Sequence, residues 1–253
     1  MKNADAVLDN LEFFLTRLRA LPCCASCGLP TGGFCLFTGS DSASENWAFC
    51  RTAVLDEEPV RAALRFFEVQ GTPFVWPLLG ESGAFLTRLD LREGGRLLAM
   101  SRGSDDPTDG REDRVAFAPV RDDEGADRWA DAMLRGFGVE SDAPESLTAL
   151  ARGMRGDGAL RLVTARVEGQ DAGTFLLALD PVAAGVYYFA VRPSFRRQGV
   201  ATAMMAEILR LARGEGKARV VLQATPSGVP FYRSVGFEPL GEIPLFSASD
   251  DVF

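Results

Sequence analysis

The chain has 253 residues, of which 47% are hydrophobic and 25% are charged, which is the composition of a globular protein with a sizeable core. Its formal net charge of −8 argues against sequence-independent nucleic-acid binding and against docking to anionic membranes, because both depend on clustered Lys and Arg side chains. The absence of histidine excludes Ser-His and Cys-His nucleophile pairs, histidine–metal sites and a histidine general base.

The first residues, MKNADAVLDNLEFF, carry three acidic side chains and no apolar segment, so they do not have the pattern of a signal peptide. No apolar run in the sequence approaches the length of a membrane span. We therefore expect a cytoplasmic protein.

Residues 1–100 are predicted to form an N-terminal domain. Apolar periodicity predicts a helix over residues 4–21 and a second helix over about residues 58–70, and the stretch after the first helix is irregular and rich in Gly and Cys. Three segments have the composition of strands: NWAFCRTAV, TPFVWPLL and GGRLLAM.

All five cysteines lie between Cys23 and Cys50. Cys24 and Cys27 have the spacing of a zinc-binding pair, and Cys35 with Cys50 could in principle complete a four-thiolate site. The second pair, however, is separated by fourteen residues rather than two. We therefore predict free thiols in a reducing compartment and no bound metal.

The segment SRGSDDPTDGRED, residues 101–113, is acidic and rich in Gly, Ser and Pro, and it predicts a linker. Residues 114–253 are then predicted to follow the order β-α-α-β-β-β-α-β-α-β, which indicates a mixed α/β layer structure. The segments in that order are RVAFAPV, GADRWADAMLRGFG, PESLTALARGM, LRLVTARV, GTFLLALD, GVYYFAV, a helix over about residues 199–213, ARVVLQAT, VPFYRSVGF and EPLGEIPLF.

The most informative stretch is VRPSFRRQGVATAMM, residues 191–205, in which two arginines and a glycine stand between an apolar run and a helix. The N–H groups of a first helical turn have no intrahelical partners and lie at the positive end of the helix dipole. Gly199 would let a ligand approach the backbone closely, and Arg196 and Arg197 could add charge-assisted contacts. Because several consecutive amides are offered, the stretch predicts a site for a diphosphate.

This stretch resembles a family signature. Arg196-x-x-Gly199-x-Ala201 matches the Q/R-x-x-G-x-G/A motif of the GCN5-related N-acetyltransferases (GNAT), and FYRSVGF, residues 231–237, resembles the family's short helix with an aromatic pair ending in Gly-Phe. The resemblance extends from about Arg114 to the C terminus. It implies a GNAT-like acyl-coenzyme A acyltransferase fold, with a mixed α/β sheet, and transfer of an acetyl group from acetyl-coenzyme A to a primary amine by direct attack.

The resemblance also implies the site residues. The pyrophosphate would lie on the arginine–glycine turn, and the pantetheine arm would pair with a strand that parts from its neighbour. Tyr232 occupies the position of the family's usual general acid, which protonates the departing thiolate. The implied coenzyme-binding residues are Phe189, Ala190, Val191, Arg196, Arg197, Gln198, Gly199, Val200, Ala201 and Thr202.

No general base is predicted. Many relatives carry a glutamate on or near the parting strand, but GVYYFAVRP contains no carboxylate. Asp180 and Glu168 lie near strand ends and could serve, although a solvated surface charge is the simpler interpretation of each. The missing carboxylate leaves an alternative open, namely a coenzyme A-binding module or pseudoenzyme without transferase activity.

Residues 1–100 contain no second arginine–glycine turn, so a second coenzyme site is not expected. The segments NWAF, GTPFVWPL and GGRLLAM resemble the degenerate half-domains that precede the catalytic unit in tandem GNAT proteins. On that resemblance Trp47, Phe74 or Trp76 would line an acceptor pocket, although a core position is the simpler interpretation of each. The expected partners are acetyl-coenzyme A and a small-molecule or peptide amine, with no nucleic acid and no membrane.

Overall fold

The computed structural model describes residues 5–30, 32–52, 56–79, 83–106, 114–139 and 143–248. Seven helices and eleven strands are found within these ranges. In chain order they are α1 (Asp5–Arg19), β1 (Ala25–Gly28), β2 (Phe34–Phe37), β3 (Trp47–Phe49), α2 (Glu57–Gln70), β4 (Trp76–Pro77), α3 (Gly83–Arg88), β5 (Arg92–Gly103), β6 (Val115–Pro119), α4 (Asp123–Gly136), α5 (Glu145–Arg155), β7 (Leu160–Val167), β8 (Gln170–Leu179), β9 (Ala183–Val191), α6 (Val200–Gly214), β10 (Arg219–Ala224), α7 (Val229–Ser234) and β11 (Glu238–Ser247).

An eight-stranded mixed sheet organises the molecule, in the order β4-β11-β5-β10-β9-β8-β7-β6. A separate antiparallel sheet contains β1, β2 and β3. From β6 onward the elements follow the predicted order β-α-α-β-β-β-α-β-α-β. The predicted α/β mixed-sheet fold is confirmed.

Both faces of the large sheet are covered, as alternating side chains of β8 demonstrate. Leu176 belongs to a core with α1, α4 and α5, whereas its neighbours Phe175 and Leu177 belong to a core with α6 and α7. Successive strand residues point to opposite faces, so a strand covered on both sides is apolar throughout. This explains why β8 and β9 lack the alternation of polar and apolar residues that marks a half-exposed strand.

Strand β5 comes from the N-terminal half of the chain but lies between β10 and β11. It pairs antiparallel with both, and Met100, for example, is opposite Leu222 on one side and Pro239 on the other. Residues 101–103, which the composition assigns to a linker, are the last residues of this strand. Residues 104–106 of that segment form a bend, and residues 107–113 lie outside the described residues. The two halves of the chain therefore share one sheet.

The N-terminal half contains the two predicted helices and a hairpin that composition does not reveal. Helices α1 and α2 lie where periodicity predicts them. The Gly/Cys-rich stretch forms β1 and β2, in which Cys27 is opposite Cys35. Gly33 ends the turn with φ 93°, and a Cβ atom there would lie 2.2 Å from the Phe49 carbonyl oxygen, so no other residue fits without displacing the backbone.

The N-terminal aromatics are mainly core residues. Phe74 and Trp76 are 2% and 1% exposed and pack with Phe67 in a third apolar cluster. Their burial excludes the role of lining an acceptor pocket that the weak resemblance suggests for them. Trp47 is half-buried against the core shared with α1 and α4.

The cysteines are all free thiols: Cys35 and Cys50 are buried, and Cys23, Cys24 and Cys27 are half-buried. Among the described residues, no three His, Cys, Asp or Glu side chains are grouped so that they could hold a metal ion. In the same part of the chain, no helix combines the length and the apolar character needed to span a membrane.

The buried Asn46 side chain holds the loop before β3. Its Oδ1 accepts from the Thr38 N–H at 3.1 Å, and its Nδ2 donates to the carbonyls of Ser40 at 2.8 Å and Ser42 at 3.0 Å. We expect Asn46→Ala to lower the free energy of unfolding by about 1–3 kcal/mol, because buried backbone groups would lose their partners. Urea unfolding measures this change, and an unaltered midpoint would contradict it.

Candidate active site

Strands β9 and β10 part from each other midway along the sheet. Their parallel pairing begins at Ala183 and Arg219 and stops at Gly185 and Val221. Beyond that point β9 continues to Val191 and β10 to Ala224, but the two strands no longer pair with each other. A gap therefore opens in the middle of the sheet, and one edge of each strand lines it. We call this gap the strand gap.

A β-bulge in β9 lies beside the strand gap. The register with β8 shifts between Thr174 and Leu176, and Tyr188 takes φ 50°, a left-handed conformation that costs a non-glycine residue free energy. As a result Tyr187 and Tyr188, although adjacent, both pack on the core shared with α1 and α4. The Thr174 hydroxyl donates to the Tyr188 carbonyl at 3.2 Å and holds the bulge.

The backbone after the bulge alternates between the two edges of β9. The Arg192 N–H donates to the Ala172 carbonyl of β8 at 2.9 Å. By alternation the backbone groups of Ala190 also face β8, whereas those of Phe189 and Val191 face the strand gap. Of the three residues expected to pair with a pantetheine arm, Phe189 and Val191 have the orientation for it and Ala190 does not.

The arginine–glycine turn ends at the N terminus of α6 with its amides unbonded. Arg197 has φ 59° and Gly199 φ 80°, and the helix begins at Val200. No described residue accepts a hydrogen bond from the backbone N–H groups of residues 197–202. Ala201 and Thr202 are half-buried, so the helix end is accessible. Six consecutive donors at the positive end of a helix suit a diphosphate.

The two arginines of the turn differ in their surroundings. The Arg196 guanidinium donates to the Val191 carbonyl at 3.0 Å and to the Gly136 carbonyl of α4 at 2.7 Å. It therefore fixes the turn to β9 and α4, which differs from the direct anion contact expected of it. The exposed Arg197 side chain has no bonding partner among the described residues and is available to a ligand.

The Gln198 side chain also stabilises the turn, because its Nε2 donates to the Ser194 carbonyl at 2.8 Å. The backbone carbonyl of Gln198 accepts from the Arg114 guanidinium. Gln198 thus offers its backbone N–H to a ligand, while its side chain helps to hold the turn.

Tyr232 lies on α7, and its ring packs beside Phe189, whose backbone groups face the strand gap. Its ring centroid is 5.9 Å from that of Phe189 and 5.8 Å from that of Phe237. Burial raises the pKa of the hydroxyl above its usual range, so Tyr232 stays protonated at neutral and moderately alkaline pH. A half-buried phenol in this protonation state can act as a proton donor.

The comparisons with known proteins agree with this geometry. Residues 126–246 match the family model for an acetyltransferase (GNAT) domain. The chain carries a GNAT domain. No curated protein matches the chain in sequence.

Solved structures extend the likeness to both halves of the chain. A GCN5-related N-acetyltransferase from Kribbella flavida is 15% identical, with a TM-score of 0.71 over 96% of this chain and 95% of that one. A tandem GNAT protein from the clavulanic acid biosynthesis pathway is 13% identical, with a TM-score of 0.61 over 98% and 95% of the two chains. A GCN5-related N-acetyltransferase-like protein from Streptococcus suis is 11% identical, with a TM-score of 0.57 over 92% of each. At these identities the likeness concerns the fold, and it includes the region before the GNAT domain.

The two carboxylates considered from sequence lie away from the strand gap of the GNAT domain. Asp180 is buried before β9 and accepts from the N–H groups of Val182 and Ala183 at 2.6 and 2.7 Å and from Asn10 Nδ2 at 2.6 Å. Glu168 is exposed in the β7–β8 turn. Asp180 is bound in a structural network, and neither carboxylate is positioned to act as a base.

A different carboxylate reaches the bulge of the GNAT domain from the N-terminal half. Glu45, on a single 3₁₀ turn before β3, accepts from the Tyr188 hydroxyl at 2.8 Å. The two residues are 143 positions apart, and nothing in the local sequence around Glu45 indicates the contact. Sequence reasoning therefore missed this residue.

Proposed function

We propose that the protein is an acetyl-coenzyme A-dependent N-acetyltransferase that acts on a primary amine. The observation that carries the proposal is the row of six unbonded backbone N–H groups, residues 197–202, at the end of the strand gap. A diphosphate there would orient the rest of the coenzyme along the free edge of β9. The five free thiols are compatible with a reducing compartment, so we place the reaction in the cytoplasm.

The chain offers partners for the pyrophosphate and for the pantetheine arm of the coenzyme. The turn and first helical turn would bind the pyrophosphate, and the Arg197 guanidinium would add a charge-assisted hydrogen bond. The gap-facing Phe189 carbonyl would accept a hydrogen bond from the pantetheine arm in the manner of an added strand. The Val191 carbonyl is already bonded by Arg196, which leaves the Val191 N–H for the ligand.

The reaction follows from these positions. A neutral amine nitrogen attacks the thioester carbonyl carbon, the C–N bond forms and the C–S bond breaks. The Phe189 N–H, which faces the strand gap, would stabilise the negative charge that develops on the carbonyl oxygen. Tyr232 would donate its proton to the departing thiolate and recover a proton that the nitrogen releases. The products are the N-acetyl amine and coenzyme A as a thiol.

The proposal is tested by incubating the protein with acetyl-coenzyme A and each of a set of amines, with free-thiol release as the readout. A suitable set contains benzylamine, 1,4-diaminobutane, L-lysine and a tripeptide with a free N terminus. We expect saturable acetyl-coenzyme A binding by calorimetry and amine-dependent thiol release. Binding without thiol release for any amine would indicate the coenzyme A-binding module instead, and absence of binding would overturn both.

A further inference from the structure

The Glu45–Tyr188 contact joins the N-terminal half to the most strained residue of β9. Tyr188 has φ 50° and directly precedes Phe189, whose backbone groups face the strand gap. Glu45 binds the Tyr188 hydroxyl through Oε2, and Oε1 has no hydrogen-bond donor among the described residues. The side chain is half-buried, so solvent or a small cation reaches it.

Among the described residues, no other carboxylate is hydrogen-bonded to a side chain of β9. Tyr187, the neighbouring bulge residue, donates instead to Asn10 Oδ1 at 2.9 Å. Asn10 in turn donates to Asp180, so that carboxylate is separated from the Tyr187 hydroxyl by an amide. Glu45 is therefore the acidic group with a free oxygen beside the bulge.

We propose that Glu45 is the carboxylate that binds the ammonium group of the acceptor amine and removes its proton. This inference rests on the proposed N-acetyltransferase function and assigns the base that the β9 sequence lacks. The N-terminal half then contributes a catalytic residue to the GNAT domain.

The surroundings of Glu45 suit an ammonium ion. The aromatic ring beside Glu45 is that of the half-buried Tyr188, whose hydroxyl donates to it. Trp129 and Phe14 pack edge-on against this ring at 5.5 and 6.2 Å between centroids, and both are buried, so they support the ring and do not contact a ligand. Aromatic faces attract cations, and they attract them more strongly where water is partly excluded. No Lys or Arg side chain among the described residues forms an ion pair with Glu45, so its charge is not already neutralised. The acceptor class is a protonated primary amine with its cationic end toward this carboxylate.

The titration of the neighbouring groups agrees with a role as base. Burial raises the pKa of Glu45, and the hydrogen bond from Tyr188 partly opposes this. Burial also raises the pKa of the Tyr188 hydroxyl and raises that of the Cys24 thiol to about 12, so both groups stay neutral in the physiological range. Glu45 is thus the group here that changes charge. Its carboxylate form is populated above the raised pKa, so the rate should increase as pH rises through that value.

Glu45 is also held rigidly. The next residue, Asn46, is fully buried and bonded to the carbonyls of Ser40 and Ser42 and to the Thr38 N–H. The 3₁₀ turn that ends in Glu45 is closed by the Asn46 N–H, which donates to the Ala43 carbonyl at 3.1 Å. A base carried on a fixed turn meets the positional demand of proton transfer better than one on an unsupported loop.

The protons balance in this scheme. One proton passes from the ammonium nitrogen to the Glu45 carboxylate, and the neutral nitrogen then attacks the thioester. The nitrogen loses a second proton as the amide forms, while Tyr232 protonates the thiolate and is itself reprotonated. Glu45 finally returns its proton to solvent, so each turnover releases one proton overall.

The test compares Glu45→Gln with the wild-type protein on two kinds of nucleophile. The amide keeps an oxygen that accepts from Tyr188, but it cannot take a proton. With the best amine of the set above, which is protonated at neutral pH, kcat/KM should fall about 100-fold or more. Hydroxylamine is largely uncharged at that pH and needs no base, so its kcat/KM should change less than about fivefold. Glu68→Gln, the same change at an exposed position of α2, serves as the matched control and should alter neither.

Three outcomes would overturn the assignment. An equal loss with both nucleophiles would mean that Glu45 is structural, and an unaltered kcat/KM for the amine would mean that it has no role in the reaction. A wild-type protein that binds acetyl-coenzyme A but transfers to neither nucleophile would overturn the proposed function and this inference with it. Either of the first two outcomes, in a protein whose wild-type form acetylates amines, would overturn only the inference.

Discussion

Arg197→Glu is expected to raise the dissociation constant of acetyl-coenzyme A by at least about 100-fold. The change removes a guanidinium that has no bonding partner among the described residues and places a carboxylate against the bound diphosphate. A charge-assisted hydrogen bond contributes about 1.5–3 kcal/mol, and the new repulsion adds to its loss. Since about 1.4 kcal/mol corresponds to a tenfold change in affinity, isothermal titration calorimetry resolves the effect easily.

The matched control for this variant is Arg213→Glu. Arg213 is exposed in the last turn of the same helix, α6, so the control makes the same change of net charge at the opposite end. It should leave coenzyme affinity within about twofold, because charges separated by more than about 10 Å in solvent are largely screened. Equal affinities for Arg197→Glu and the wild-type protein, with both folded by circular dichroism, would remove the diphosphate from this turn.

Tyr232→Phe is expected to lower kcat by about 100-fold or more while leaving acetyl-coenzyme A affinity unchanged. General acid catalysis contributes about two to four orders of magnitude, and phenylalanine keeps the ring packed against Phe189 and Phe237. Because burial raises the Tyr232 pKa, the wild-type hydroxyl stays protonated, and kcat should not fall on the alkaline side below about pH 10 on its account. Steady-state kinetics with the best amine acceptor measures both effects.

Tyr187→Phe makes the same chemical change at a hydroxyl with a structural partner. Removing the Tyr187 hydroxyl breaks its hydrogen bond to Asn10. We expect the free energy of unfolding to fall by about 0.5–1.5 kcal/mol and kcat to change little. If Tyr187→Phe and Tyr232→Phe slowed turnover equally, the effect would be one of packing, and Tyr232 would not be the acid.

Much of the GNAT half could be predicted because its signals are local. Helix α6 carries an apolar stripe, and Met204, Met205, Ile208 and Ala212 from that stripe are buried as periodicity requires. The turn before it is recognisable because Gly199 and the adjoining arginines are consecutive in sequence. Strand order after Arg114 follows from apolar runs of the right length separated by turn residues.

The features that sequence did not predict depend on contacts between distant segments. The insertion of β5 between β10 and β11 depends on pairing across more than a hundred residues, for which a single sequence gives no register. The Arg196 guanidinium is directed to β9 and α4 by the geometry of the turn, which a motif does not specify. In the sequence Glu45 has the features of an ordinary surface carboxylate, and only the tertiary structure places it beside Tyr188 of the bulge.

The position of β5 limits how this protein can be altered. Replacing residues 1–100 with a different N-terminal segment, in order to change the acceptor, would also replace most of β5. Both edges of that strand are hydrogen-bonded, one to β10 and the other to β11. A successful chimera would have to keep the side chains of that strand and exchange only the segments before it. The unit to redesign is thus the GNAT domain together with β5, even though the arginine–glycine motif lies entirely within that domain.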